Sequence, residues 1–141
     1  MSKFYNCIGA ALLLLVFSEF SFAESFVTAP SGLKYRDLKV GTGTPAQTGS
    51  TVVVHISGWV DENGQKGKEI YRTRKENSPV SFVVGTEKVM QGWNEGVVGM
   101  QAGGTRLLLI PPELGFGNKA VEDIIPPHAH LRFIIELLEV K

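Results

Sequence analysis

Hydrophobic and polar residues in this chain alternate in short blocks separated by turn-forming segments. Thr51 to Val60, TVVVHISGWV, is the clearest strand, dense in β-branched residues and bounded by polar turns. Leu33 to Val40 alternates well enough for another. Val80 to Val84, Thr105 to Ile110 and Leu131 to Val140 read the same way. Between them, Asp61 to Lys68 reads as a polar turn region and Glu69 to Asn77 as a mixed, charged stretch. Helical spacing occurs in one place. Val89, Trp93 and Val97 recur at intervals of four, which predicts a helix over Glu87 to Met100 capped by Thr86. Gly92, Gly96 and Gly99 weaken it, so it should be short and dependent on packing. With strands outnumbering helices and no βαβ spacing, the pattern predicts an α+β fold, a twisted antiparallel sheet packed on one short helix.

Pro111 to His130 fits neither period. PPELGFGNKAVEDIIPPHAH has the prolines and glycines of a loop, yet it carries Leu114, Phe116, Val121, Ile124 and Ile125. A long loop with that many apolar anchors is expected to line a site.

The N-terminus follows a different logic. A basic Lys3, the apolar run Ile8 to Phe17 and the small-residue border Ser21-Phe22-Ala23 have the layout of a signal peptide over residues 1–23. Removing those residues from the 141 leaves 118, with Glu24 to Ser31 as a flexible lead and residues 32–141 as one domain. Export to the periplasm is the expectation, with release from the cell as the other exported destination. The single cysteine, Cys7, falls in the export segment, so the mature domain must be held by packing alone. The chain has 14 basic and 14 acidic residues, a balance that argues against nucleic acid as a partner.

Conventional catalytic constellations are missing from the pattern. His55, His128 and His130 do not stand at metal-ligand spacing, and Gly41-Thr42-Gly43 lacks the lysine and the helix of a nucleotide loop. No cofactor is expected. An enzyme of this composition would need no covalent chemistry.

Three separated motifs, VVHISGW (Val53 to Trp59), the run from Val84 to Gly117, and IIPPHAHLRFIIELLEV (Ile124 to Val140), resemble the FKBP-type peptidyl-prolyl isomerase family in order and spacing. The resemblance implies a proline-sized apolar bowl that isomerises X-Pro bonds in proline-containing peptides or folding proteins, in a monomeric domain. It places Trp93 on the floor, with Phe133, Phe116 and Ile125 as walls and Val89 and Met90 at the helix approach. The Met90 backbone N–H would bind a substrate carbonyl. The resemblance also marks departures: Ile56, Phe116 and Val80 stand where the family commonly has tyrosine, tyrosine and phenylalanine. Ile70-Tyr71 replaces a Phe-Asp pair, and Glu76 falls at an arginine position. Since the aspartate, its tyrosine partner and the arginine are absent together, the polar network is replaced and not left half broken. Tyr71 can supply the hydroxyl that Phe116 lacks if it faces the bowl; the other orientation puts it on the outer sheet face. Catalysis is expected to be weakened and macrolide binding weakened further. A non-catalytic chaperone or binding module is the alternative.

Overall fold

The computed structural model describes residues 25–121 and 124–141. The expected signal segment lies outside the described residues. Among the described residues, seven strands form a single antiparallel sheet: β1 (Val27–Thr28), β2 (Lys34–Lys39), β3 (Thr51–Glu62), β4 (Gln65–Arg72), β5 (Val80–Val83), β6 (Thr105–Ile110) and β7 (Leu131–Val140). Their order is β1-β2-β6-β7-β3-β4, and β5 also pairs with β3. β3 and β7 form the centre, as their dense apolar sequences require. Val54, Ile56, Ile135 and Leu137 are all within 1 % of complete burial.

Two expectations change. Gln65–Arg72 was expected to divide between a polar turn and a charged stretch; it is strand β4, and the turn shrinks to Asn63 and Gly64, both at positive φ. β4 is the sheet edge, where charged side chains keep the exposed backbone from pairing with other chains. Its alternation is therefore polar on both faces, and a hydrophobic pattern cannot reveal it.

The one α-helix among the described residues, α1, is also shorter than expected, running Gln91–Val97 with Met90 as its N-cap. Thr86 is not the cap: its hydroxyl donates to the Val83 carbonyl at 2.9 Å instead. Val89 lies outside the helix, in the segment leading to it. The two helical glycines explain how closely it lies on the sheet. A Cβ on Gly92 would stand 2.6 Å from Ile110, and one on Gly96 would stand 2.4 Å from Leu108. Both glycines are there to let the helix lie directly on β6, and helical propensity is given up for that contact.

Buried polar groups fix where α1 sits. Arg106 on β6 donates through Nη1 to the Gly96 and Val98 carbonyls at 3.1 and 3.0 Å, gripping the negative end of the helix. Its Nε donates to Asp37 on β2 at 2.7 Å, and the guanidinium stacks on Tyr35. At the other end, Asn94 is only 3 % exposed. Its Oδ1 accepts from the Gly85 N–H at 2.8 Å, and its Nδ2 donates to the Thr86 carbonyl at 2.6 Å. The helix is thus tethered to β2, to β6 and to the segment that follows β5.

Candidate functional site

The tethered helix points Trp93 at the sheet. On the sheet side, Phe133 (β7), Gly58 (β3) and Tyr71 (β4) stand directly opposite one another in register, forming one row across three strands. Directly opposed residues project to the same face. The Trp93 ring lies 5.5 Å from the Phe133 ring, edge to face at 88°, and 5.6 Å from the Tyr71 ring. Phe82 closes a third side at 6.3 Å. Three aromatic rings therefore surround the Trp93 indole, with Gly58 between them, and the face of the indole that they frame is the candidate hollow.

Gly58 makes the hollow possible. A Cβ built there would stand 2.2 Å from Phe133 Cε1 and 2.5 Å from Cδ1. Only a hydrogen leaves room for the phenyl ring to lie over β3 and reach Trp93.

Tyr71 reaches the hollow because β4 is irregular. Gly58 pairs with Tyr71 while the next β3 residue, Trp59, pairs with Glu69, so Ile70 is an inserted residue. Such a bulge breaks alternation and lets adjacent side chains serve one face. Ile70 packs against the core while Tyr71 contacts Trp93. The outer-face orientation is not the one adopted. Tyr71 remains 39 % exposed, and its hydroxyl has no partner among the described residues.

The other expected site residues distribute as follows. Ile125 is buried, and Val89, Met90 and Phe116 pack against the same core. Ile124 turns outward at 43 % exposure, so the adjacent isoleucines point to opposite sides of the loop. Val80 is half-buried opposite Val54. Ile56 is 1 % exposed and stands opposite Ile135, a row away from Gly58, with its side chain enclosed in the core. The Met90 carbonyl caps the helix by accepting from Trp93 and Asn94, while its N–H has no partner among the described residues. Two donors, the Met90 N–H and the Tyr71 hydroxyl, are therefore left unused beside an aromatic hollow.

Sequence reasoning missed Gly58 and Phe82. Phe82 was visible as the inward alternate of Val80 two residues earlier, and Gly58 as a glycine inside the strongest strand. Trp93 Nε1 is the buried side-chain polar atom that lacks a partner among the described residues. An unsatisfied buried N–H costs about 1–3 kcal/mol, so the fold keeps an indole here against its own stability.

Among the described residues, those gathered at this hollow do not form an acid-base or nucleophilic centre. Its side chains are aromatic and aliphatic, and they can exclude water from whatever enters and shape a flat ring-sized space.

Comparison with known proteins agrees with this geometry. Residues 42–138 match the family model for FKBP-type peptidyl-prolyl cis-trans isomerase. The chain is 42 % identical over 127 residues to the chloroplastic peptidyl-prolyl cis-trans isomerase FKBP16-4 of Arabidopsis thaliana, covering 84 % of this chain and 52 % of that protein. It is also 42 % identical over 109 residues to an FK506-binding protein of Neisseria meningitidis serogroup B, covering 77 % of this chain and 96 % of the relative. Among solved structures, FkpA from Escherichia coli superposes with a TM-score of 0.73 at 35 % identity, over 88 % of this chain and 55 % of that one. AtFKBP13 superposes with the same TM-score at 32 % identity, over 84 % of this chain and all of the other. The chain thus spans about half the length of the Arabidopsis relative and of FkpA, and nearly the whole of the Neisseria protein. With the antiparallel sheet, the short helix α1 and the aromatic hollow between them in place, the chain belongs to the FKBP-type peptidyl-prolyl cis-trans isomerase family.

Proposed function

We propose that the hollow around Trp93 receives the proline ring of an X-Pro segment and catalyses rotation about the preceding amide. The observation that carries this reading is the set of rings within about 6 Å of Trp93: Tyr71 at 5.6 Å, Phe133 at 5.5 Å and Phe82 at 6.3 Å, over a glycine. Rotation breaks amide resonance across a barrier of about 18–20 kcal/mol. The twisted amide has less charge separation than the planar one, so a dry apolar site favours it over the ground state. Hydrogen bonds to the flanking chain hold the segment while it turns. The Met90 N–H and the Tyr71 hydroxyl supply them, with Tyr71 serving in place of the hydroxyl that Phe116 lacks. In this role Phe116, Ile125, Val89, Ile70 and Val80 complete the apolar wall, and Ile56 supports it from within the core.

The substrates are proline-containing peptides and folding proteins, met as a monomer after export to the periplasm. The apolar run Ile8 to Phe17 before Ser21-Phe22-Ala23 supports export. The names of the relatives, one chloroplastic and others FK506-binding, supply the precedent for organellar or bacterial members and for macrolide ligands. Macrolide affinity is reduced here because those ligands also use the polar rim that Ile56, Tyr71 and Glu76 have altered. N-terminal sequencing of the protein from the periplasmic fraction should begin at Glu24; an intact Met1 there defeats cleavage after Ala23, and absence of the protein from that fraction and from the medium defeats the export reading.

The deciding experiment is a protease-coupled or NMR-exchange assay on X-Pro peptides, comparing the wild type with folded Trp93→Ala and Phe133→Ala variants. Catalysis lost in both variants is expected. A wild-type rate equal to buffer alone ends the enzymatic reading. The phenylalanine at position 116 favours a second reading, a chaperone that holds proline segments without turning them over. Peptide binding with no rate enhancement would identify it.

A further inference from the structure

Thr73 occupies an unusual place in the sheet. β3 is paired by β4 as far as Ser57 and by β5 from Val54 onward, and Ile56 falls in the gap. Thr73, two residues after Tyr71, fills it. Its N–H donates to the Ile56 carbonyl at 3.0 Å, as a strand neighbour's would. The returning bond differs: the Ile56 N–H donates at 2.8 Å to Thr73 Oγ1, where an antiparallel partner would offer its carbonyl. The displaced Thr73 carbonyl accepts from the Ser78 N–H at 3.0 Å and the Glu76 N–H at 3.3 Å, which turns the chain away from the sheet. A side-chain hydroxyl standing in for a backbone acceptor thus lets β4 stop and turn while β3 stays satisfied.

The same hydroxyl is anchored from below. His55 Nδ1 lies 2.9 Å from Thr73 Oγ1, and both residues are over nine-tenths buried. The hydroxyl accepts from the Ile56 N–H, and its own proton lies within reach of two acceptors, the Ile56 carbonyl at 3.4 Å and the His55 ring nitrogen when that nitrogen carries no hydrogen. The adjacent Arg74 pairs with Glu136 on β7, directly opposite His55 in register. Up to Thr73 the chain is held on three sides. Among the described residues, Tyr71 itself is held by its place opposite Gly58 and its ring contact with Trp93, after a bulge that interrupts the strand before it.

We propose that Thr73 is a positioning residue for the isomerase site: its hydroxyl fixes the end of β4 so that the Tyr71 hydroxyl is presented over Trp93. The inference rests on the reading that Tyr71 donates to the substrate. Thr73→Val keeps the shape and removes the hydroxyl, whereas Thr73→Ser keeps the hydroxyl. The valine variant should lower kcat on X-Pro peptides by up to about tenfold, the scale of one lost hydrogen bond, with KM little changed. The serine variant should restore most of the rate. Combined with Tyr71→Phe, the valine change should add little, because both act through one hydroxyl.

The outcomes separate. If Tyr71→Phe alone leaves the rate unchanged, the role given to Tyr71 is wrong and this inference falls with it. If Tyr71→Phe lowers the rate but Thr73→Val does not, or if the two effects multiply fully, the positioning role alone is overturned. Amide exchange on the unmodified chain tests the link even if the valine variant does not fold. Protection of the Ile56 N–H comparable to that of Val54 supports the link, and exchange as fast as at the Gly64 turn overturns it.

Discussion

Gly58→Ala is the smallest change that should separate the fold from the bowl. The new methyl would stand 2.2 Å from Phe133 Cε1, whereas ordinary contact begins near 3.4 Å, so the ring must retreat by more than 1 Å. It has little room. Phe133 is 1 % exposed and already touches Trp93 edge to face. Overpacking of this kind costs about 1–3 kcal/mol. Against it, alanine is less flexible than glycine in the unfolded chain, which returns about 0.4–1 kcal/mol. Net destabilisation of about 1–2 kcal/mol follows, a Tm loss of roughly 4–8 °C for a small domain. Activity should suffer more. Displacing a positioning surface by about 1 Å can lower a rate up to 10²-fold, so a loss of about ten- to hundredfold in kcat/KM is expected well below the melting temperature. Gly67→Ala is the internal control. It makes the same substitution in the same sheet, and the atoms nearest its methyl belong to the exposed Glu62 side chain, which can swing aside. Thermal melts and an X-Pro exchange assay on both variants complete the test. If Gly58→Ala keeps its activity within twofold, or if Gly67→Ala loses as much, Gly58 does not shape the site.

Other predictions follow from single contacts. Trp93→Phe removes the unpartnered indole N–H along with some apolar area, so stability should change by less than about 1 kcal/mol while kcat/KM falls severalfold; equal losses in both would make Trp93 an ordinary core residue. Arg106→Lys forfeits the two helix carbonyls and the Asp37 contact, and should lower stability by about 2–3 kcal/mol, or roughly 10 °C in Tm; an unchanged melt would mean that the helix is held by its glycine packing alone. A macrolide of the FK506 type should bind more weakly than to the full-length-matched Neisseria relative; equal calorimetric affinities would show that the altered rim does not matter. The X-Pro rate should be flat between about pH 6 and 8, because no proton transfer is part of the reaction, and a bell-shaped profile would require a general acid or base that this reading lacks.

Much of the fold is legible in the amino-acid sequence. β3 and β7 announced themselves because both are dense in β-branched and apolar residues. What stayed hidden has physical causes. β4 is an edge, and its lysines and glutamates look like a turn. The helix was overdrawn because Val89 falls on the apolar spacing of Trp93 and Val97 yet precedes the Met90 cap. Gly58 contributes by having no side chain, and Thr73 by replacing a backbone carbonyl; neither leaves a hydrophobic signature. The orientation of Tyr71 depended on one inserted residue, which alternation alone cannot reveal.

That insertion has a wider consequence. Between Trp59 and Asp61 the hairpin carries a second register shift, where β4 runs from Glu69 to Lys66. Beyond it, Arg132 pins the hairpin tip by bonding Asp61 and the Gly64 carbonyl. The two irregularities act as slack between the tip and the bowl. Tyr71 is indexed by its opposition to Gly58 and not by its distance from the turn, so residues added between Asn63 and Gly64 lengthen the hairpin without re-aiming the bowl. The tip is therefore a grafting point, where a client-binding loop could be installed beside an unaltered isomerase site.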